Sequence, residues 1–575
     1  MSTLITPRTL SGFRDYLPAL MLAREQVLQT ARAVYRSYGF TPIDTPACES
    51  LDVLLGKGGD ESDKLVYRVR SARGETEEMG LRFDLTVPFA RFSAQYINEL
   101  GTPFKRYAMG PVWRGERPGK GRFREFWQCD FDTIGTTSNA ADVETALVIN
   151  DLFTAIGFDR FEIRINNRKL LSGVLEEHGL GQQVASILRA VDKLPKIKHE
   201  GVQQELVGMP RESATKFVAQ FQEVWQQKTP PSNGIEFRQL HRHVLNILTV
   251  EMFPSAGQAY VQEELAELTA RVMVEGWKVK VKQESPSDSE ISSLREEVLK
   301  VRGEADASLI DRLIATAKRN AYPPLDEASA RELVDRLSGV GLTPKQAKDV
   351  LDFVSLSGPP EAILKAVSNL YGTNKLVAEG VKDLSQLLAV AKTAGVPDGR
   401  IKIDLSICRG LDYYTGTIYE TFLTDLPGIG SVCSGGRYDN LASKYTKQVL
   451  PGVGASLGLD RLIAAMEELK HPLLTGQSTP AQVLVVNFDA GRLGDYQRIA
   501  RALRAAGVAA EVYPDATKKV GQQLAYAEKR GFELAVIAGD REFAAGVWNV
   551  KDLAKREEAA VPEAELMHAI RQRLG

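Results

Sequence analysis

Residues 104 to 135 constrain the fold of this chain more than any other stretch. Two runs rich in aromatic and β-branched residues flank Arg117-Pro118-Gly119-Lys120-Gly121, where a proline and two glycines read as a loop. That pattern is a long hairpin. Side chains alternate faces along a strand, so Arg122, Arg124, Phe126, Gln128, Asp130 and Asp132 are expected on one side of the second arm. Arg114 and Glu116 share a face on the first arm. If the two faces coincide, one surface carries guanidiniums, a flat ring, an amide and carboxylates. The planar fork of arginine donates parallel hydrogen bonds and keeps its charge, which suits a polyphosphate. A ring can stack on a purine, and Gln128 and Asp132 could hold a small polar molecule that is itself partly cationic. The competing reading is a solvated basic hairpin laced with surface salt bridges.

At 575 residues the chain is too long for one core and should divide into roughly three or four units. A composition of 43% hydrophobic and 25% charged residues reads as globular, and a net charge of -2 gives no global pull toward nucleic acid or membrane. Any anion site must therefore be local. Cys48, Cys129, Cys408 and Cys433 lie far apart with no Cys-x-x-Cys pair, which argues against a zinc knuckle or a disulfide framework. No stretch approaches the ~18 apolar residues of a spanning helix, and the N-terminus lacks a signal pattern, so a cytoplasmic protein without membrane contact is expected.

Apolar residues recur at helical spacing from Leu22 to Tyr38, and FTPIDTPA then reads as a short strand. From about Leu170 to Val396 the texture turns to charged, Leu- and Ala-rich helical stretches broken at TPPSNG, ESPSDS and SGPP. Strand character returns at IKIDLSICRGLDYYTGTIYETFL and persists to SLGLDRL, and HPLLTGQSTPA reads as a linker. Beyond it, VLVVNFD, AAEVYP and ELAVIAGD alternate with amphipathic helices around Arg498 and Tyr526, the pattern of a small α/β domain. The expected units are 1–170, a mainly helical insertion over 171–396, a second core segment over 397–474, and 481–575.

The hairpin RGERPGKGRFREFWQCDFD resembles motif 2 of class II aminoacyl-tRNA synthetases, in which an Arg-x-Glu strand, a loop and a returning strand with Arg and Phe bind ATP. YGFTPIDTPA resembles motif 1, the dimer-interface helix and strand ending in a proline, here Pro46. GVGASLGLDRL resembles motif 3, whose helix carries an arginine, here Arg461. Within that class, RGLDYYTGTIYE and SGGRYDNL resemble the two signature segments of the histidyl-tRNA synthetase family, and LRFDLTVPFAR and GFRDYLP are similar to further family segments. The resemblance covers nearly all of residues 8 to 170 and 398 to 470, and the C-terminal unit more loosely.

The resemblance implies an α/β fold with an α+β catalytic core on an antiparallel sheet, a helical insertion and a C-terminal α/β anticodon-binding domain. It implies a homodimer that uses L-histidine, ATP with Mg2+, and tRNA(His), with no metal-ligating side chains fixed by the sequence. Arg114 and Arg409 are implied at the α-phosphate, Arg409 also at the substrate carboxylate, and Arg122 and Arg461 at the outer phosphates. Glu116 would read the adenine edge and Phe126 would stack on its ring. Asp84, Thr86 and Gln128 match positions that hold the amino and carboxylate groups of histidine. Asp132 and Tyr414 match those that contact the imidazole, with Tyr438 close by. Many bacterial relatives have Glu where this chain has Asp84 and Asp132, so the acceptors sit about one methylene further back. Tyr413 is expected to pack, Asp412 to accept structural hydrogen bonds, and Cys408 and Cys433 to be small buried residues. The six histidines show no metal-ligand spacing.

Other functions compete with aminoacylation. A regulatory paralogue, such as the accessory subunit of ATP phosphoribosyltransferase or a tRNA sensor, keeps this fold without charging tRNA. Such chains tend to lack the arginines or the C-terminal domain, and this one has both. An adenylate-forming ligase for a free small molecule would need no anticodon-type domain. RNA contact by the C-terminal unit would need local patches such as Lys518 and Lys519, because its charges nearly balance.

Overall fold

A computed structural model describes residues 5–55, 65–70, 78–207, 339–408 and 413–574. Much of the expected helical insertion, and Arg409 and Asp412, lie outside these residues.

The hairpin forms as its sequence requires. Strands β1 (Thr41–Pro42), β2 (Cys48–Ser50), β3 (Arg68–Val69) and β4 (Met79–Leu81) precede its two arms, β5 (Phe104–Trp113) and β6 (Glu125–Ile134). The arms pair antiparallel from Phe104 opposite Ile134 to Trp113 opposite Glu125. Then follow β7 (Phe161–Asn167), β8 (Ile401–Ile403), β9 (Thr417–Leu423), β10 (Cys433–Tyr438) and β11 (Gly452–Gly458). An eight-stranded sheet has the order β1-β5-β6-β11-β10-β9-β7-β8. Its β5, β6, β11, β10 and β9 are joined antiparallel, and β1 joins parallel to β5. The motif 1 strand is thus shorter than expected, two residues that end before Pro46. Proline cannot donate to a ladder, which limits such a run to an edge.

Why one face of this sheet is open to chemistry follows from the other. Helix Pro18–Ser37 starts on a proline, tolerated there because the first turn has no intrahelical partner for its N–H. It buries Ala23, Val27, Leu28, Ala31 and Tyr35, spaced three and four apart. The Tyr35 hydroxyl donates to the Cys129 carbonyl at 2.9 Å and its ring lies 5.0 Å from that of Phe131. The odd residues of β6 therefore face this helix, leaving Phe126, Gln128, Asp130 and Asp132 on the opposite side. Arg122 and Arg124 do not continue that face as expected. They precede β6, in a loop closed by a bridge between Gly119 and Arg122.

The described parts of the expected insertion are helical, including Arg168–Glu177, Val184–Val191, Pro344–Val354, Pro360–Tyr371 and Lys375–Thr393. The C-terminal unit holds β12 (Val483–Val485), β13 (Ala510–Val512), β14 (Leu534–Ile537), β15 (Val547–Asp552) and β16 (Glu558–Pro562). Their order is β13-β12-β14-β15-β16, with β13 and β14 parallel to β12 and the last two strands antiparallel. The three leading strands and the helices Leu493–Ala505 and Val520–Arg530 match the sequence pattern, whereas β15 and β16 were not anticipated from it. Trp548, Tyr496, Val483 and Val536 are sealed in its core, each large side chain contributing roughly 1.5–3 kcal/mol by burial.

Candidate active site

Three carboxylates and one arginine are sunk in the open face of the sheet. Arg106 on β5 stands directly opposite Asp132 on β6, and its Nη2 lies 2.7 Å from Asp132 Oδ2 and 3.9 Å from Asp130 Oδ2. Nη2 also donates to the Leu85 carbonyl at 3.1 Å, and the guanidinium stacks 4.4 Å from the centre of the Phe89 ring. Arg106 has no solvent exposure, and Asp84, Asp130 and Asp132 are also buried. The Tyr438 hydroxyl donates to Asp132 Oδ1 at 2.7 Å. Asp84 Oδ1 accepts from the Val87 N–H at 2.9 Å at the start of helix Thr86–Leu100, and its Oδ2 accepts from the Tyr413 hydroxyl at 3.3 Å. Thr86 Oγ1 lies 3.5 Å from Asp130 Oδ2, and Gln128 Nε2 donates to Ser456 Oγ at 2.9 Å.

Burial disfavours the charged form of each carboxyl and raises all three pKa values. Arg106 works against that rise for Asp130 and Asp132, and Arg114 does so for Asp84. Asp130 is pushed up to about 7, first by burial, with Arg106 opposing and Asp132 adding like-charge repulsion. The Tyr438 hydroxyl is driven up as well, chiefly by burial and then by Asp132.

The strands beside these groups lack side chains, and Tyr438, Asp132 and Tyr414 lie where those side chains would be. A Cβ on Gly454 would collide with the Phe131 carbonyl and the Asp132 carboxylate, and one on Gly452 would enter the Tyr438 ring. A Cβ on Gly436 would stand 2.9 Å from the Tyr414 ring. Tyr414 in turn packs edge-on against Tyr413 at 5.0 Å.

Next to these groups lie the residues expected to meet a nucleotide. Arg114 Nε donates to the Phe83 carbonyl at 2.9 Å, and its guanidinium lies 5.1 Å from the Phe126 ring. Phe126 packs against Leu85, Ala108 and Val112. Arg122 Nη1 lies 3.7 Å from Glu116 Oε2, so these two expected nucleotide contacts pair with each other in the protein alone. Arg124 serves the loop, donating to the carbonyls of Glu116 and Ser11. Arg461, on helix Leu459–Leu469, donates to the Ser431 carbonyl at 2.5 Å. Its neighbour Asp460 accepts from the Trp127 N–H at 2.6 Å and from Tyr16 and Arg24, tying that helix to β6 and to helix Pro18–Ser37.

The structure thus brings together Asp84, Thr86, Gln128, Asp132 and Tyr438, with Tyr414 at the glycine wall. Sequence reasoning missed Arg106; Tyr413 packs as expected, and its partly buried hydroxyl also donates to Asp84. Asp130 was assigned to the correct face and given no role. The signal for Arg106 was its place in the hairpin register, opposite Asp132.

A mainly antiparallel sheet with this hairpin, followed by an α/β C-terminal unit, is the layout of class II synthetases. The family model described as histidyl-tRNA synthetase matches residues 12–219 and 294–462, and that described as anticodon binding domain matches 482–573. A histidine–tRNA ligase of Rhodopirellula baltica is 43% identical over 97% of this chain and 96% of its own length. The crystal structure of histidyl-tRNA synthetase from Nostoc sp. PCC 7120 aligns with a TM-score of 0.68 and 29% identity, covering 99% of this chain and 100% of that one. A Bacillus halodurans structure titled as an ATP phosphoribosyltransferase regulatory subunit/histidyl-tRNA synthetase aligns over 91% of this chain and 97% of its own. Its TM-score is 0.53 at 16% identity, a likeness of fold alone. The chain belongs to the histidyl-tRNA synthetase family.

Proposed function

We propose that the protein is a histidine–tRNA ligase, which joins L-histidine to ATP and then transfers it to tRNA(His). The observation that carries this reading is the buried group of Asp84, Gln128, Asp132 and Tyr438, packed on bare glycine backbone beside Arg114 and Phe126. A group of that kind suits a small molecule that bears an ammonium group and two ring nitrogens. An apolar isostere would leave several of these polar groups unpaired, so selection by binding alone suffices.

In the first step a carboxylate oxygen of histidine attacks the α-phosphorus of ATP. The bond to the bridging oxygen breaks, and pyrophosphate leaves with the electron pair. Arg114 and Arg409 stabilise the charge that gathers on the α-phosphate, and Arg409 also orients the attacking carboxylate. Arg122 and Arg461 hold the outer phosphates, Glu116 reads the adenine edge and Phe126 stacks on the ring. Binding of ATP exchanges the Arg122–Glu116 pairing for these contacts. Asp84, Thr86 and Gln128 take the amino and carboxylate groups, while Asp132, Tyr414 and Tyr438 take the imidazole. In the second step a hydroxyl of the 3′-terminal ribose attacks the histidyl carbonyl and AMP departs with the bond electrons. Nothing in this sequence calls for a protein nucleophile, so catalysis lies in positioning and charge stabilisation.

Mg2+ would be carried on ATP and would supply positive charge against its phosphates. Among the described residues no three His, Cys, Asp or Glu side chains gather where they could hold a metal ion, and no protein ligand is assigned. The C-terminal unit is proposed to bind the anticodon region. No helix among the described residues is long and apolar enough to cross a membrane, and a cytoplasmic location is proposed. A homodimer is proposed through the segment around Pro46, whose neighbours Thr41, Pro42, Ala47 and Cys48 are exposed. Sedimentation at about twice 63.2 kDa would bear this out, and a fully active monomer would not.

A regulatory paralogue shares the fold, but retention of Arg114, Arg122, Arg461 and the C-terminal unit favours the ligase. Exchange of labelled pyrophosphate into ATP, assayed with each amino acid, separates the two. Histidine should drive exchange best, and no exchange by folded protein would defeat the proposal.

A further inference from the structure

Resting on the ligase reading, one group in this cluster has no role among those assigned so far. Asp130 lies between Gln128 and Asp132 on the same face of β6, 1% exposed, and its Oδ1 has no hydrogen-bond partner. Arg106, also buried, leaves Nε and Nη1 without partners, as does Gln128 at Oε1. Unmet polar groups gathered in one place are costly unless something polar comes to meet them.

Charge counting tells what that is. Arg106 Nη2 lies 2.7 Å from Asp132 and 3.9 Å from Asp130, so one guanidinium serves two carboxylates and Asp130 is the more weakly paired of them. Thr86 touches Asp130, and Ser456 serves Gln128. Thr86 and Gln128 are, with Asp84, the residues proposed for the amino and carboxylate groups of histidine. We propose that Asp130 is a further substrate-facing residue that receives the α-ammonium charge of histidine, with Arg106 as the positioning residue that holds Asp132 apart from it.

Burial disfavours a charge that is not fully compensated, which is why the Asp130 carboxyl is pushed up to about 7. Several groups face it. Arg106 on β5 favours ionisation, as does the Ser456 hydroxyl on β11, while Asp132 on its own strand and Asp84 before helix Thr86–Leu100 oppose it. Arg82 from β4's C-terminal flank, Cys433 on β10 and Tyr35 on helix Pro18–Ser37 also feel its charge. A bound ammonium stabilises the carboxylate, so the proton held on Asp130 near neutrality leaves as histidine binds. The sign follows directly. Below the Asp130 pKa the group is a neutral acid and resembles asparagine, and above it the full charge assists binding.

The test compares KM for L-histidine in pyrophosphate exchange for the wild type and Asp130→Asn at pH 6 and pH 8. Titration of histidine itself is common to both enzymes and cancels in the ratio. The ratio of variant to wild-type KM should be close to one at pH 6 and reach at least about tenfold at pH 8, the scale of one charged hydrogen bond. A ratio that does not change with pH overturns the inference while leaving the ligase reading intact. Absence of histidine-dependent exchange by the wild type defeats that reading and this inference with it. Should Asp130→Asn not fold, Ser456→Ala decides. Loss of that hydroxyl should move the midpoint of the wild-type KM–pH profile to higher pH, and an unmoved midpoint overturns the proposal.

Discussion

The residues proposed for histidine and those proposed for ATP differ in how their polar groups are satisfied. Asp84, Asp130, Asp132 and Gln128 are buried, and the last three lie on one strand in the middle of a sheet. Some of their atoms, such as Gln128 Oε1 and Asp130 Oδ1, have no partner. Arg114, Arg122 and Arg461 are only partly buried, and each already engages a protein group, respectively the Phe83 carbonyl, Glu116 and the Ser431 carbonyl. If these assignments hold, the amino-acid side is preorganised and short of partners, so a correct ligand would gain contacts there without ordering anything first. The nucleotide side must trade existing contacts for phosphate. Selectivity should therefore be concentrated in the sheet, and rate acceleration in the arginines that meet developing charge.

Substitutions can break this contrast. The largest effect is expected for Arg409→Ala and Arg114→Ala, each of which should slow single-turnover adenylation by about two to three powers of ten, the scale for deleting one preorganised charge stabiliser. A near-normal rate in either would remove that residue from the proposed α-phosphate site. Smaller and more selective effects should separate the two sides. Asp132→Asn should raise KM for histidine by about ten- to a hundredfold while leaving KM for ATP within about twofold, since a buried charged hydrogen bond is altered. Arg122→Ala should do the reverse, raising KM for ATP by no more than about tenfold, because the side chain is 41% exposed and its pairing is screened. Steady-state exchange kinetics with each substrate varied would show both patterns, and a shared rise in both constants would erase the distinction.

How far the sequence went toward this site can be judged from single residues. Alternation along β6 was enough to place Gln128, Asp130 and Asp132 on one face, because a regular strand repeats every two residues. The same rule failed at Arg122 and Arg124, since the ladder stops at Glu125 and a loop obeys no such period. Arg106 stayed hidden for a different reason. Nothing in Lys-Arg-Tyr marks it as buried, and only its registration opposite Asp132 puts it in the core. The two-residue strand at Thr41–Pro42 and the added strands β15 and β16 depend on edge pairing, which periodicity does not encode. Asp460 shows the same limit, as its partners Tyr16, Arg24 and Trp127 come from three remote stretches of chain.

The bare backbone at Gly452, Gly454 and Gly436 bears on how such an enzyme could ever change its amino acid. Even a methyl group on Gly454 would meet a carbonyl and the carboxylate of Asp132, and one on Gly452 would meet the Tyr438 ring. These glycines therefore offer no neutral steps to wander along, since an added side chain at each disturbs the neighbour packed on it. Drift or laboratory selection toward another side chain must begin at Tyr414, Tyr438 or Asp132, where shortening a side chain opens space. If Tyr414, Tyr438 and Asp132 hold the imidazole as proposed, weaker use of histidine should come before use of another amino acid.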